Sequence, residues 1–271
     1  MNAIMFILNN TERDISLFRK NIQLLKKNYL DQFPCEVICL HESDFPKSEH
    51  SIIDSLVGKP IKFIQIEFET PEYSKEIMDK IPLYFPWEGH PNGLGFSMGY
   101  RKMCRFMAGE VFNQEYLKEY KYIWKLDTDS SILEKIEYDV FKRMEDAGAI
   151  YGFLNIQNDS PKTTIGLWDR AIKYFREENN YPIHADISHP PHANKVFYTN
   201  FEIFDIEWFR GEIYQKYYKF IEKEGGILIH RWGDHCIRYI GVTSLVPQDK
   251  IISFDSIHYF HHSYYFNPKP L

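Results

Sequence analysis

The sequence predicts an α/β protein with a mixed central sheet flanked by helices, and three observations support this class. The chain opens with an apolar strand at residues 3–8, an amphipathic helix, and two further strands at residues 36–40 and 61–66. A doubly wound nucleotide-binding sheet requires such a strand–helix–strand opening. A β-prone segment at residues 122–126 then ends at two aspartates, and helical and extended patterns alternate beyond it.

The remaining elements follow from hydrophobic periodicity and from capping residues. Residues 71–99 are rich in Pro, Gly and aromatic residues, which is typical of a functional or mobile loop. The predicted helices cover residues 14–30, 98–112, 138–146, 167–175, 207–224 and 234–244. Further strands are predicted at residues 149–154, 196–203, 227–229 and 251–254.

Length and composition fit a single globular domain over residues 1–271. Charged residues make up 26% and hydrophobic residues 44% of the chain, which is a folded rather than a disordered composition. A formal net charge of −6 argues against a nucleic-acid partner, because such a surface needs a basic stripe. A phosphate-bearing ligand would therefore be held by a metal ion or by a few local basic residues.

The cysteines and the N-terminus predict a soluble cytoplasmic protein. The four cysteines form no C-x-x-C pair, and Cys35 and Cys39 lie on one face of a strand, too far apart to bridge comfortably. We expect reduced thiols in a reducing compartment. The N-terminal apolar run is only six residues long and lacks a basic region before it, so we expect neither a signal peptide nor a membrane span.

The aspartates after the strand at residues 122–126 are candidates for a metal site. Asp127 and Asp129 stand at the end of a buried strand, and ligands bind at the carboxyl ends of strands in open α/β sheets. Two hard oxygen ligands suit Mg²⁺ or Mn²⁺ carrying a diphosphate. A solvated acidic turn is the alternative interpretation of the same residues.

Basic residues near the start of the helix at residues 98–112 are candidates for an anion site. Ser97 can cap this helix, and Arg101, Lys102 and Arg105 follow in its first two turns. A helix N-terminus attracts anions through its free N–H groups and its dipole. For Lys102 an exposed helix face is an equally good interpretation.

Isolated acidic residues mark two further strand ends. Glu202 lies inside the apolar segment VFYTNFEIF, where burial disfavours its charge unless a partner compensates. It is either a working carboxylate or a structural one bound to backbone amides. Asp234 follows Arg-Trp-Gly, and a helix cap is the alternative to a functional role.

Histidines form two groups near the C-terminal half of the chain. His258, His261 and His262 lie within five residues, where a metal ligand, a surface tail or core residues are all consistent with the sequence. His184, His189 and His192 lie in one polar loop, but their spacing fits no structural zinc pattern and no paired cysteines accompany them.

Several longer segments resemble the fungal α-1,2-mannosyltransferases of glycosyltransferase family 15. They are YRKMCRF (residues 100–106), YDVFKRMEDAGAIYGF (138–153), NFEI (200–203) and RWGD (231–234), in the same order. The resemblance covers residues 100–266 and is weak through 155–195. It implies a GT-A type, Rossmann-like fold, GDP-mannose as donor, a mannose-containing glycan or glycoconjugate as acceptor, Mn²⁺ as cofactor with Mg²⁺ as its substitute, and retention of anomeric configuration.

The resemblance also implies roles for individual residues. Asp127 and His261 match the family's metal ligands, and Asp129 matches the second acidic residue of the same motif. Glu202 matches the candidate nucleophile, and Tyr100 and Asp234 match its other active-site positions. Tyr100, Arg101, Arg105, Lys125 and Asp129 are the expected contacts to the nucleotide-sugar.

The chain departs from the family at several of these positions. Asp127 stands in place of Glu, Thr128 in place of Pro, and Lys125 where the family tends to have Arg. We also expect the chain to lack the membrane anchor and stem of the secretory enzymes. Two other functions stay open beside a transferase: a metal-dependent nucleotide-sugar hydrolase and a non-catalytic glycan-binding protein.

Overall fold

The computed structural model describes residues 1–90, 92–188, 192–262 and 264–267. Extended segments recur along the whole described chain. The strands are β1 (Asn2–Leu8), β2 (Glu36–His41), β3 (Lys62–Gln65), β4 (Tyr84–Phe85), β5 (Phe96–Ser97), β6 (Tyr122–Leu126), β7 (Ser131–Ile132), β8 (Tyr151–Phe153), β9 (Ile156–Asn158), β10 (Lys195–Phe197), β11 (Phe201–Asp205), β12 (Ile251–Ser253), β13 (Tyr259–His261) and β14 (Tyr264–Phe266).

Helices separate most of these strands. Two of the helices continue into π-helical turns, at Lys26–Leu30 and at Tyr174–Glu178. The α-helices are α1 (Glu12–Leu25), α2 (Lys47–Val57), α3 (Lys75–Met78), α4 (Met98–Ala108), α5 (Val140–Asp146), α6 (Leu167–Lys173), α7 (Ile206–Arg210), α8 (Glu212–Glu222), α9 (Gly226–His230) and α10 (Asp234–Leu245).

The central sheet is mixed, and among the described residues it has seven strands in the order β12-β8-β11-β6-β1-β2-β3. β3, β2, β1 and β6 run parallel to one another, whereas β11 runs antiparallel to both β6 and β8. This register places Glu202 of β11 directly opposite Lys125 of β6. Their side chains therefore leave the same face of the sheet.

Both faces of the sheet are covered by helices, as its alternating side chains show. In β1, Ala3 and Met5 belong to one buried cluster with residues of α4, α8 and α10, whereas Ile4 and Phe6 belong to a second cluster with residues of α1, α2 and α5. Because successive side chains of a strand point to opposite faces, a strand of uninterrupted apolar residues needs a core on each side.

The predicted fold class is confirmed, and the segments at residues 122–126 and 234–244 form the predicted strand and helix almost residue for residue. The first helix begins at Glu12 rather than 14, because the Thr11 side chain accepts a hydrogen bond from the Asp14 N–H and caps it. The helix α2 was not predicted. The loop at residues 71–99 contains α3 and the hairpin β4–β5.

Three predicted elements were wrong in extent or type. The strand at residues 196–203 is two strands, β10 and β11, because the chain turns between them. The helix at residues 207–224 breaks at Gly211 into α7 and α8. Residues 227–229 lie in helix α9 and not in a strand, since a short apolar run is ambiguous when it is buried on all sides.

Candidate active site

The acidic turn at residues 127–129 lies at the carboxyl end of the central strand β6. Its backbone is held by three hydrogen bonds: Asp127 N–H donates to the Asn200 carbonyl (3.1 Å), Ser130 N–H to the Asp127 carbonyl (3.0 Å), and the Asn21 side-chain amide to the Thr128 carbonyl (2.9 Å). The two carboxylates are thus not needed to hold the turn and are available for other partners.

A small antiparallel sheet brings His261 to this turn. β13 pairs with β7 so that Phe260 lies opposite Ser131, which places His261 beside the end of the acidic turn. The His261 Nε2 atom lies 2.9 Å from Asp129 Oδ1 and 3.6 Å from Asp127 Oδ2. Burial lowers the pKa of this imidazole, but the two carboxylates outweigh it and raise the pKa to about 9.

The next residue, His262, completes a set of candidate metal ligands. Its backbone has φ 54°, a left-handed conformation that few residues other than glycine adopt, and its Nδ1 lies 3.3 Å from Asp129 Oδ2. One ligand atom each from Asp129, His261 and His262 lies within 4.8 Å of the others. One carboxylate and two imidazoles within this span can bind one divalent cation.

Asp127 is held in its ionised form by a buried lysine. Lys125 Nζ donates to Asp127 Oδ1 (2.5 Å) and to the Thr199 carbonyl (2.7 Å). Burial raises the pKa of Asp127, but Lys125 and His261 outweigh it and lower the pKa to about 2. Both aspartates of the turn therefore face cations, and the interpretation as a merely solvated turn does not describe them.

These groups line one cavity of about 460 Å³. The cavity lies where the parallel strands β1, β2 and β6 end, which is the position of ligand sites in open α/β sheets. Its polar lining includes Asn9, Asn10, Asp14, Glu42, Asp44, Ser97, Tyr100, Lys125, Asp127, Thr128, Asp129, His261 and His262.

A family profile described as glycolipid 2-alpha-mannosyltransferase matches residues 1–270. The chain belongs to this family. Glycolipid 2-alpha-mannosyltransferase 2 of Candida albicans is 30% identical over 258 residues, which cover 90% of this chain and 55% of that protein. The chain thus spans about half the length of this relative.

Solved structures confirm the GT-A type fold. Ktr4p from Saccharomyces cerevisiae in complex with GDP superposes with a TM-score of 0.84 at 27% identity, covering 98% of this chain and 72% of that one. Core-mannan synthase A from Aspergillus fumigatus, in an Mn/GDP form, gives a TM-score of 0.84 at 24% identity, covering 99% of this chain and 76% of that one.

The expectation of a soluble cytoplasmic protein is wrong. The relatives include glycolipid 2-alpha-mannosyltransferases of Candida albicans and Saccharomyces cerevisiae, which do not fit a cytoplasmic assignment, and unpaired cysteines do not by themselves fix the compartment. In the parts of the chain that the structure describes, no helix is long and apolar enough to cross a membrane. The four cysteines are unpaired, as predicted.

Glu202 lies behind the cavity rather than on its wall. It is 0% exposed and is not among the cavity-lining residues, but its cross-strand neighbour Lys125 is. Glu202 Oε2 accepts hydrogen bonds from the Tyr151 hydroxyl (3.0 Å) and from Arg238 Nε (3.0 Å). The structural alternative of a carboxylate bound to backbone amides is therefore wrong; side chains hold it.

Asp234 and Tyr100 belong to one network of polar side chains, which the sequence did not indicate. Asp234 is buried in the first turn of α10, whose cap is Gly233, so the cap interpretation of Asp234 is wrong. Burial raises its pKa, but His235, Lys125 and Arg238 outweigh it and hold it well below its usual value. Tyr100, on the cavity wall, accepts from the Arg231 guanidinium (2.9 Å).

The carboxylate of Asp159 ties this network together. Asp159 Oδ2 lies 2.8 Å from His235 Nε2, 3.3 Å from Arg231 Nη1 and 3.5 Å from Cys236 Sγ. Asp159, His235 and Cys236 are close enough to share a metal ion. However, the Arg231 charge already pairs with the carboxylate, which makes this group an ion-paired network. An Asp in a loop gives no signal of this role in the sequence.

Arg101 and Arg105 are not brought to the cavity. Arg101 is fully buried and donates to the backbone carbonyls of Ser97, Pro82, Leu83 and Leu228. Arg105 forms ion pairs with Glu110 (2.6 Å) and Glu222 (2.8 Å). Both guanidiniums pair with groups inside the fold and neither lines the cavity, so the structure does not support a contact between them and a nucleotide.

The loop histidines form no ligand cluster among the described residues. His192 Nδ1 bonds the Tyr239 hydroxyl (3.0 Å), and the His184 N–H donates to the Ser244 carbonyl (2.8 Å). His189 lies outside the described residues. His258 lies 4.0 Å from Glu134, apart from the cavity, so of the C-terminal histidines only His261 and His262 contribute to it.

Proposed function

We propose that this chain, as one GT-A catalytic domain over residues 1–271, transfers mannose from GDP-mannose to a hydroxyl of a mannose-containing glycan or glycoconjugate. The observation that carries the proposal is the meeting of Asp127, Asp129, His261 and His262 on one cavity at the switch point of the sheet. Its support from relatives is membership of the glycolipid 2-alpha-mannosyltransferase family and similarity to a GDP complex of Ktr4p.

The donor set fits a divalent cation that carries a diphosphate. Asp129, His261 and His262 would hold it, with Asp127 at the edge of the set, 3.6 Å from His261. Two imidazoles favour Mn²⁺ over Mg²⁺, because Mg²⁺ is bound through oxygen ligands. Such a cation, when bound, neutralises negative charge that develops on the departing nucleoside diphosphate.

Lys125 places a positively charged side chain next to the candidate metal ligands. Its ammonium group is buried and lines the cavity while pairing with Asp127. Burial opposes its charge, but Asp127, Asp234 and Glu202 outweigh burial and raise its pKa. Lys125 therefore stays protonated; it pairs directly with Asp127, and the charges of Asp234 and Glu202 favour its protonated form.

We propose that transfer retains the anomeric configuration and forms an α-1,2 linkage, as the family resemblance implies. Glu202 is the candidate nucleophile on a double-displacement route, by the logic of paired carboxylates in glycosidases. On the alternative front-face route Glu202 would stabilise an oxocarbenium-like centre, and the departing phosphate would take the acceptor proton. Asp234, whose pKa is held low, is ionised and can accept a hydrogen bond from an acceptor hydroxyl.

The test is transfer from GDP-mannose to α-methyl mannoside with Mn²⁺, followed by NMR of the product anomer. We expect Glu202→Gln to abolish transfer while GDP binding, measured by calorimetry, is retained. Glu207→Gln, an exposed carboxylate five residues further on, is the matched control and should keep full activity. Full transfer by Glu202→Gln would remove Glu202 from the mechanism.

The same assay separates the two other functions. A nucleotide-sugar hydrolase would release free mannose even with acceptor in excess, and would give no disaccharide. A glycan-binding protein would bind oligosaccharide without metal or nucleotide, and Asp129→Asn would then have no effect. Disaccharide that appears only with Mn²⁺ and GDP-mannose would contradict both.

A further inference from the structure

The cavity that holds the candidate metal ligands has two ends of different chemistry. At the metal end, where β6 and β13 finish, its wall carries Lys125, Asp129, His261 and His262. At the other end, which we call the acidic end, side chains that follow β1 and β2 line it: Asn9, Asn10, Glu42 and Asp44. Because β1 lies between β6 and β2, and neighbouring strands are about 4.8 Å apart, the two ends are separated by roughly 10 Å.

This separation determines how a nucleoside diphosphate lies in the cavity. The diphosphate is negatively charged, so it is attracted to the metal end and repelled by the carboxylates of the acidic end. The ribose separates the diphosphate from the base, which is uncharged at neutral pH. We therefore expect the base at the acidic end.

An aromatic ring lies at the acidic end as well, and it points to a base independently of the charges. Phe68 follows β3, the strand next to β2, and its half-buried side chain lines the cavity. The ring packs edge to face against Phe106 of α4, with ring centres 5.4 Å apart, and this contact holds it in place. Nucleic-acid bases stack on such rings, whereas a diphosphate or a metal ion gains nothing from one.

Asp44 is the carboxylate of the acidic end that a neighbour positions. Asn10 Nδ2 donates to Asp44 Oδ2, which links the segment after β1 to the segment after β2. Asp14 also lines the cavity, but its Oδ2 accepts from Thr11 Oγ1 (2.6 Å) in the cap of α1. The Glu42 side chain makes no hydrogen bond to the residues that the structure describes. An ionised carboxylate has about four acceptor sites, so Asp44 can accept further hydrogen bonds.

A carboxylate at this end favours one base over the others. Guanine presents two adjacent donors, N1–H and the N2 amino group, which one carboxylate can accept together. Adenine and cytosine present an unprotonated ring nitrogen at the same edge, and uracil flanks its single N–H with two carbonyl oxygens. A carboxylate is repelled by these lone pairs.

We infer that Asp44, held by Asn10, accepts hydrogen bonds from N1–H and the N2 amino group of guanine, and that Phe68 stacks on the face of the base. The inference rests on the proposed function and deepens it. It names Asp44 as the residue that makes the chain specific for a guanosine diphosphate donor.

The test compares the binding of GDP and of inosine diphosphate, which lacks the N2 amino group, by calorimetry with Mn²⁺. We expect the wild type to bind GDP about tenfold more tightly, because inosine diphosphate loses one hydrogen bond to a charged partner. Asp44→Ala should bind the two nucleotides equally. Asp44 is exposed, so its replacement leaves the core intact. Equal binding by the wild type, or the full preference in Asp44→Ala, would overturn the inference.

Asp44→Asn adds a gain of binding to this loss. Xanthosine diphosphate has a carbonyl oxygen in place of the N2 amino group, and an asparagine amide can donate to it. We expect Asp44→Asn to bind xanthosine diphosphate about tenfold more tightly than the wild type does, and GDP about tenfold more weakly. No gain for xanthosine diphosphate would contradict a direct contact between residue 44 and the base.

Two further variants separate base selection from general binding. Glu42→Gln is the matched control, since Glu42 is also an exposed carboxylate of the acidic end, and it should keep the preference for GDP. Loss of the preference in Glu42→Gln but not in Asp44→Ala would show the assignment to be wrong. Phe68→Leu should weaken GDP and inosine diphosphate equally, about tenfold, because stacking does not depend on the amino group. Unchanged affinity for both would contradict the stacking.

The readout is binding, so it does not depend on sugar transfer. A wild type that prefers GDP through Asp44 but forms no mannoside would contradict the proposed function and leave this inference in place. Mannosyl transfer by a chain whose preference for GDP is the same in Asp44→Ala would contradict the inference alone.

Discussion

Tyr198 is predicted to set the metal affinity of the cavity without touching the metal. Its hydroxyl lies 2.7 Å from His261 Nδ1, on the side of the ring opposite to the Nε2 that faces Asp129. If Nδ1 keeps its proton and donates it to this hydroxyl, Nε2 is the nitrogen that gives up its proton when a cation binds. Groups that orient a metal-binding histidine in this way are worth 10- to 100-fold in affinity (roughly 1.4–2.7 kcal/mol).

The perturbation is Tyr198→Phe, which removes only the hydroxyl. The two rings meet edge to face with centres 5.3 Å apart, and phenylalanine keeps this contact. The whole effect therefore comes from one hydrogen bond, and we expect Mn²⁺ binding about tenfold weaker, at the low end of the range. The assay is the free Mn²⁺ signal in electron paramagnetic resonance during titration of the metal-free protein.

The chain supplies a close control in Tyr239→Phe. Tyr239 makes the same kind of contact, a hydroxyl 3.0 Å from Nδ1 of His192, but His192 lies outside the cavity. Removing the Tyr239 hydroxyl should leave the Mn²⁺ affinity within twofold of that of the wild type. Wild-type Mn²⁺ affinity in Tyr198→Phe, or an equal loss in both variants, would refute the reasoning.

Three further predictions concern charge and packing. Asp129→Asn should weaken Mn²⁺ binding more than Asp127→Asn in the same titration, because Asp127 is already neutralised by Lys125; the reverse order would contradict this. Asp159→Asn should lower the free energy of unfolding at pH 7 by about 2 kcal/mol. The Asp159 pKa is held below its usual value, so this stabilisation is present above about pH 4 and is lost as the pH falls further. Denaturant titrations should therefore show the unfolding free energies of the wild type and the variant converging below about pH 4. Gly109→Ala should destabilise by about 1–3 kcal/mol in the same denaturant assay, since its Cβ would lie 2.2 Å from Tyr218; an unchanged midpoint would refute the packing argument.

The local sequence pattern predicted the ranges of those secondary-structure elements whose conformation depends mainly on residues nearby in the chain. The strand β6 and the helix α10 match their predicted ranges closely, because each has a strong periodic signal and polar residues at its boundaries. The secondary-structure predictions were wrong where tertiary contacts determine the local conformation. Residues 227–229 form a helix because the apolar run is surrounded by the core, and the Gly211 break was hidden inside a continuous helical pattern.

Candidate site residues divide along the same line. Asp127, Asp129 and His261 could be named from the sequence, and they meet in one cavity. The basic residues Arg101 and Arg105 were named by the same logic of position, but the fold uses both internally. A basic residue near a helix start has several partners within reach, and the sequence does not say which of them it will find.

The sequence by itself determined the fold class, the family, and which acidic and histidine residues are candidates for chemistry, because these depend on residue type, order and local spacing. Only the tertiary structure decided which of them meet. β13 lies more than 120 residues from the acidic turn, and its pairing with β7 brings His261 and His262 to Asp129. Likewise the two donors on one oxygen of Glu202 come from β8 and α10, and contacts between such distant elements are set by packing, which has no local signature in the chain.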